Sequence, residues 1–214
     1  MKTDDLVSAL ARSAAPVDAR RVSRQFTGTL FCAALLSMAA MLLMLGMRAD
    51  WRSGMQDAVF WLKLLFPAVT AIAAFVVLRR LAYPGARVGV IALMGIGLPF
   101  AVIWLLGALV LVQAPAVDRH ALVFGSSWWK CAAGVAMLAV PATALTFLAM
   151  RKMAPTRLAL TGAAAGLFGG SAGAFAYALY CTEMQIPFIA SWYAAGILAF
   201  TALGAFLGRR VLRW

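Results

Sequence analysis

Carboxylates are scarce in this 214-residue chain, and none falls inside its long apolar runs. Ion-coupled transporters and proton pumps carry acidic groups at membrane depth, so both classes lose support. A single histidine, His120, cannot build a His-rich metal site or a pair of haem ligands. No Gly-rich phosphate loop and no nucleophile elbow is present, so neither an enzyme nor a cofactor is expected. Strands of alternating polarity are also missing, which argues against a membrane barrel. Charged residues make up only 12% of the chain and hydrophobic ones 64%. A soluble protein so composed would hold more apolar surface than a core of this size could hide.

What the chain does have is six apolar runs, at residues 26–47, 60–78, 88–112, 131–150, 158–180 and 188–207. Each is close to the roughly 20 residues that carry a helix across about 30 Å of hydrocarbon. The expectation is an all-α, polytopic membrane bundle of six transmembrane helices, arranged as three helical hairpins with lipid as solvent. The first run is too long for a signal-peptide core, so no cleavage is expected.

Orientation follows from the Lys and Arg residues. Fourteen stand on one set of connections: Lys2, Arg12, Arg20, Arg21, Arg24, Arg79, Arg80, Arg87, Arg151, Lys152, Arg157, Arg209, Arg210 and Arg213. Five stand on the other: Arg48, Arg52, Lys63, Arg119 and Lys130. The positive-inside rule then predicts that both termini face the cytoplasm. The net charge of +12 is read as topology plus attraction to anionic lipid, with no direct nucleic-acid contact. Trp61, Trp128, Trp129, Trp192 and Tyr193 read as an aromatic belt at the outer surface, with Lys63 and Lys130 snorkelling beside them.

Inside the runs, Gly162, Gly166 and Gly170 recur every fourth residue, with Gly169 and Gly173 beside them, and Gly204 and Gly208 close the last run. Such faces let helix backbones approach closely, which predicts that the fifth span is buried in the bundle. Pro67, Pro99 and Pro141 are expected to kink their helices or free a carbonyl.

Two places are left for recognition or chemistry. The first is the polar N-terminal segment, residues 1–25, ahead of a membrane domain at 26–214. Thr3 can cap a short helix with Asp4 and Asp5 in its first turn; Leu6, Ala9, Leu10 and Ser13 follow at helical spacing, with Val7 alongside, until Pro16. A helix this short is marginal alone and needs a partner: the membrane surface, which its acidic turn suits poorly, or a groove on a cytoplasmic protein. The second is the pair Cys131 and Cys181, about 50 residues apart yet both placed at the outer surface by the topology. They could form a disulfide, meet a soft metal ion or simply pack as small hydrophobes. Cys32 reads as packing. On these residues alone, a small-molecule carrier or channel and a structural assembly subunit stay open beside a sensing role.

Certain segments carry a resemblance. They are the opening Met1-Lys2-Thr3-Asp4-Asp5-Leu6, the stretch Phe60-Trp61-Leu62-Lys63-Leu64 with Pro67, the outer Cys131 and Cys181, Pro187-Phe188 with Trp192-Tyr193, and the closing Gly208-Arg209-Arg210-Val211-Leu212-Arg213-Trp214. In this order and spacing the chain resembles the NrsF family of bacterial six-span anti-sigma factors. One departure stands: Trp129-Lys130 precedes Cys131 where a Trp-Arg-Ser-Cys type of run is expected. The resemblance implies a bacterial inner-membrane protein whose N-terminal segment, through Lys2, Thr3, Asp4, Asp5, Leu6 and Leu10, holds an extracytoplasmic-function (ECF) sigma factor away from RNA polymerase. It also implies that Cys131 and Cys181 sense thiol-reactive stress, from oxidants or heavy-metal ions, and trigger release.

Overall fold

The computed structural model describes residues 3, 7, 19–48, 51–83, 85, 88–153 and 155–213. Among these, all regular structure is helical: α1 (Ala19–Met44), α2 (Trp51–Gly54), α3 (Ala58–Leu81), α4 (Val90–Gln113), α5 (Ala116–Phe124), α6 (Trp128–Arg151), α7 (Leu158–Ala178), α8 (Ile186–Phe188), a π-turn (Ile189–Tyr193) and α9 (Ala194–Val211). Six helical segments are long and apolar enough to cross a membrane: α1, α3, α4, α6 extended by α5, α7, and α8 through α9. The span expected from residue 131 begins three residues earlier, and the connection before it is not a loop. It forms the amphipathic helix α5, which Gly125 ends at φ +54°.

Helix α7 is the axis of the bundle and packs against α1, α3, α6 and α9. Its small side chains explain this. In lipid there is no hydrophobic drive between helices, so close van der Waals contact has to supply the attraction. Gly162 and Gly166 lie against the backbone of Gly204 and Phe200 on α9, and Gly169 and Gly173 against Thr143 and Ala139 on α6. The glycine faces anticipated in the sequence are therefore the seams of the bundle.

Chain order is not packing order. Helix α1 packs against α6 and α7, with Phe26, Leu30, Ala33, Ser37 and Met41 forming its buried stripe. Ser37 Oγ donates to the Leu138 carbonyl of α6 at 2.7 Å, so a polar atom at membrane depth is satisfied across the seam. Helix α4 rests on α3 and on the start of the last span and is the least buried of the six. Helices α3, α4 and α6 run unbroken through Pro67, Pro99 and Pro141.

The two ends of the bundle differ in chemistry. Arg79, Arg80, Arg151, Lys152, Arg157, Arg209, Arg210 and Arg213 are all exposed and gather at one end. The opposite end holds α2, α5 and both paired cysteines. There Trp61, Trp128 and Trp129 are exposed as a belt requires, but Tyr193 is completely buried and does not belong to it. Lys63 also departs from expectation. It does not snorkel; its side chain is fully buried, because Phe60, Lys63, Pro67, Thr70, Ala74, Val77 and Leu81 share the inward face of α3.

Candidate functional site

Cys131 lies in the first turn of α6, where its N–H bonds to the Ser127 carbonyl at 2.9 Å. Cys181 ends the turn after α7, with its N–H bonded to the Tyr177 carbonyl at 3.0 Å. Both are buried free thiols, and their side chains are close enough to influence each other's charge. The structure thus brings together two residues from different spans.

Three contacts hold that arrangement. Gly134 of α6 leaves no room for a side chain, and the Tyr177 ring of α7 fills the space. The Glu183 carboxylate accepts from Ser126 N (3.0 Å), Ser126 Oγ (2.8 Å) and Ser127 Oγ (3.1 Å), which ties the turn before α6 to the segment after α7. Partial burial works to raise the Glu183 carboxyl, but the bonds from Ser126 and Ser127 and the Lys63 charge outweigh it and hold the group below the usual carboxylate range. Finally, Lys63 Nζ donates to the carbonyls of Cys181 at 2.6 Å and Glu183 at 2.9 Å.

Lys63 is the only fully buried charged side chain among the described residues. An ammonium at this depth costs several kcal/mol unless it is well solvated by the protein. Two carbonyl dipoles and the Tyr193 ring, whose centroid is 5.6 Å from Nζ, supply part of that solvation. Tyr193 reaches the site from the π-turn, whose Ala190 carbonyl accepts from Trp104 Nε1 of α4 at 2.9 Å. Its hydroxyl stands next to the Cys181 sulfur and has no hydrogen-bond partner among the described residues.

A cavity of about 710 Å³ opens between the end of α1, the start of α6 and the end of α7. Arg48, Lys130, Trp129, Tyr177 and Tyr180 line it, and it reaches Cys181 but not Cys131. The Cys131 thiol lowers the pKa of Cys181 most; burial opposes this, and Lys63, the Glu183 N–H and the Tyr193 hydroxyl add to the lowering. The net effect holds Cys181 below the ordinary thiol range. Among the described residues no three His, Cys, Asp or Glu stand together to hold a metal ion. Two thiols beside Lys63, Arg48 and Lys130 make a poor cradle for a divalent cation but suit thiolate chemistry.

The other anticipated site residues are less visible. Lys2, Asp4, Asp5, Leu6 and Leu10 lie outside the described residues, while Thr3 is helical and exposed. Cys32 is exposed on α1, not packed inside the bundle. Sequence reasoning passed over Lys63, Glu183 and Tyr193 as site members. For Lys63 a signal was present, since a charged residue inside an apolar run is a functional candidate in its own right.

Comparison with known proteins places the chain. The family model described as "Negative regulator of sigma F" matches residues 10–214. The probable anti-sigma-F factor NrsF of Azospira oryzae is 36% identical over 214 residues, covering all of both chains. The anti-sigma-F factor NrsF of Caulobacter vibrioides is 34% identical over 235 residues, again covering both chains completely. No solved structure matches. A full-length match of this kind shows kinship with regulators and not with enzymes: the chain belongs to the NrsF family of negative regulators of sigma F.

Proposed function

We propose that this protein is a membrane-embedded anti-sigma factor that sequesters an ECF sigma factor at the cytoplasmic face and releases it when Cys131 and Cys181 react at the other face. Its relatives are named anti-sigma-F factors, which supports a sigma factor as the partner. The recognising element is the segment at 1–25, with Leu6 and Leu10 as the apolar stripe and Lys2, Thr3, Asp4 and Asp5 as its polar start. Both termini are cytoplasmic in this reading, so sensing and output lie at opposite ends of the bundle.

The observation that carries the sensing half is the meeting of Cys131 and Cys181 beside a cavity at the end away from the arginines. A two-electron oxidant would take two electrons and two protons from the pair as the S–S bond forms. Oxidants fit the cation-lined cavity better than free metal ions do. The disulfide would favour one arrangement of α6 against α7, and a partner that distinguishes two arrangements changes its affinity accordingly.

Affinity purification of the intact protein from its native membrane is the test. A sigma factor should co-purify, and should be lost when residues 1–25 are removed. Solute flux through reconstituted vesicles, with no sigma factor bound, would overturn the reading in favour of a carrier.

A further inference from the structure

Cys131 and Cys181 are not equivalent, and their surroundings say which one reacts. Cys181 lines the open cavity, while Cys131 is completely buried and does not reach it. Two buried donors converge on Cys181 from different spans. One is the ammonium of Lys63 on α3, held 2.6 Å from the Cys181 carbonyl and ion-paired to no carboxylate among the described residues, because the Glu183 carboxylate is hydrogen-bonded to Ser126 and Ser127. The other is the Tyr193 hydroxyl, buried without a hydrogen-bond partner among the described residues and adjacent to the same sulfur. A buried cation and an orphaned donor are each costly next to a neutral thiol, which accepts hydrogen bonds weakly. Both are satisfied by a thiolate.

We propose that Lys63 and Tyr193 form a thiolate cradle that makes Cys181 the nucleophile of the pair and leaves Cys131 as the second thiol. This deepens the thiol-sensing reading and rests on it. Lys63 and Tyr193 are positioning residues: they act through the sulfur and do not touch the reagent. The groups facing Cys181 from the packed elements are Lys63 on α3, Cys131 and Lys130 on α6, Tyr177 on α7, Tyr180 after it, Tyr193 on the last span, Glu183 on its own segment and Arg48 after α1. Of these, only Glu183 carries negative charge at neutral pH, and its carboxylate is engaged elsewhere.

The direct probe is iodoacetamide with the full-length protein in detergent or vesicles, with the modified cysteine identified by mass spectrometry. The Cys181 sulfur displaces iodide, forming an S–C bond, after its proton has left for solvent. In the unaltered chain, Cys181 should alkylate at least tenfold faster than Cys131 at neutral pH, with a midpoint below the ordinary thiol value of about 8.5. Lys63→Met should raise the Cys181 midpoint by about one unit and slow its alkylation by up to tenfold at pH values below the midpoint, where one unit is tenfold in thiolate population. Lys63→Arg should recover part of the rate. Tyr193→Phe removes only the orphaned hydroxyl and should slow Cys181 several-fold, which keeps the proposal testable if Lys63→Met does not fold.

A merely structural role would open the site and speed alkylation with no change in midpoint. Faster labelling of Cys131, a Cys181 midpoint at or above 8.5 in the unaltered chain, or unchanged pH profiles in both variants would each overturn the cradle. None of these readouts involves the sigma factor. Loss of stress response in the Cys→Ser variants is therefore a separate question, and the two ideas can fail independently.

Discussion

The backbone of Gly162 on α7 lies directly against the carbonyl oxygen of Gly204 on α9, and Gly204 meets Gly162 in the same reciprocal way. A side chain at either position would have to enter the opposing backbone, which cannot move aside as a flexible side chain could. Gly162→Val or Gly204→Val should therefore destabilise the bundle by about 1–3 kcal/mol or more, the usual cost of overpacking. Gly97, with nothing within 4 Å of an added Cβ, is the control. Gly97→Ala should leave stability unchanged or slightly raised, as helix propensity favours Ala by up to about 1 kcal/mol. Reversible unfolding in mixed micelles measures both.

The thiol pair gives a second expectation. Cys131→Ser and Cys181→Ser should each abolish the response to oxidant while sigma binding persists. In the unaltered protein, mild oxidation should join the two cysteines, detectable as a linked peptide after proteolysis. The two thiols are already neighbours in the folded chain. An oxidant response that survives both substitutions would show that the sensor lies elsewhere.

Output should depend on the N-terminal stripe. Leu6→Ala or Leu10→Ala removes burial worth about 1.5–3 kcal/mol, so sigma binding should weaken roughly ten- to a hundredfold and target transcription should rise. Asp4→Lys with Asp5→Lys should weaken binding in a salt-dependent manner, because rim charges are screened. A peptide of residues 1–24 should bind measurably but more weakly than the whole protein, since it must also be ordered on binding. If deletion of the segment leaves binding unchanged, the basic connections around Arg79, Arg87 and Arg151 are the recognition surface.

Orientation is open to direct labelling. Cysteines introduced near 83 or 154 should be protected from an impermeant reagent in intact cells, and those within 48–59, 113–130 or 181–187 should be reactive where the side chain is exposed. The reverse pattern would invert the whole signalling scheme.

The Glu183 anchor predicts an acid sensitivity. Its folded pKa is depressed, so the stabilisation is fully present above the unfolded value of about 4.3 and is lost as pH falls through the lower folded value. Acidification through that window should loosen the turn at Ser126 and Ser127 and disturb the nearby tilted contact of Trp128 with Trp192, whose ring centroids are 4.8 Å apart. Tryptophan emission should shift with acid in the unaltered protein. Glu183→Gln keeps an acceptor oxygen without the charge and should show little further shift over the same range.

How much of this was written in the chain depends on the kind of signal. Length and apolarity are properties of contiguous residues, so all six spans could be read directly, and the four-residue glycine spacing identified α7 as the buried helix. Lys63 was visible but misjudged. Helix α3 is apolar on every side, so periodicity could not say which face turned inward, and nearness to the membrane surface suggested snorkelling. Tyr193 was assigned to the interface for the same reason: an aromatic near a span end looks alike whether it faces lipid or the core. Helix α5 does not stand out in the sequence, because its polar and apolar residues are too few to separate from a connection.

The order of hydrophobic runs and the placing of basic residues settled the class, six spans and an asymmetric pair of ends, because the cost of polar groups in hydrocarbon acts on each segment independently of the others. Which spans touch is a different matter. That Cys131 meets Cys181, and that Lys63 and Tyr193 converge on the same sulfur, depends on four separate segments docking in one register around α7. Such a register is set by steric fit between glycine faces and neighbouring backbones, a relation between distant parts of the chain that no local pattern contains.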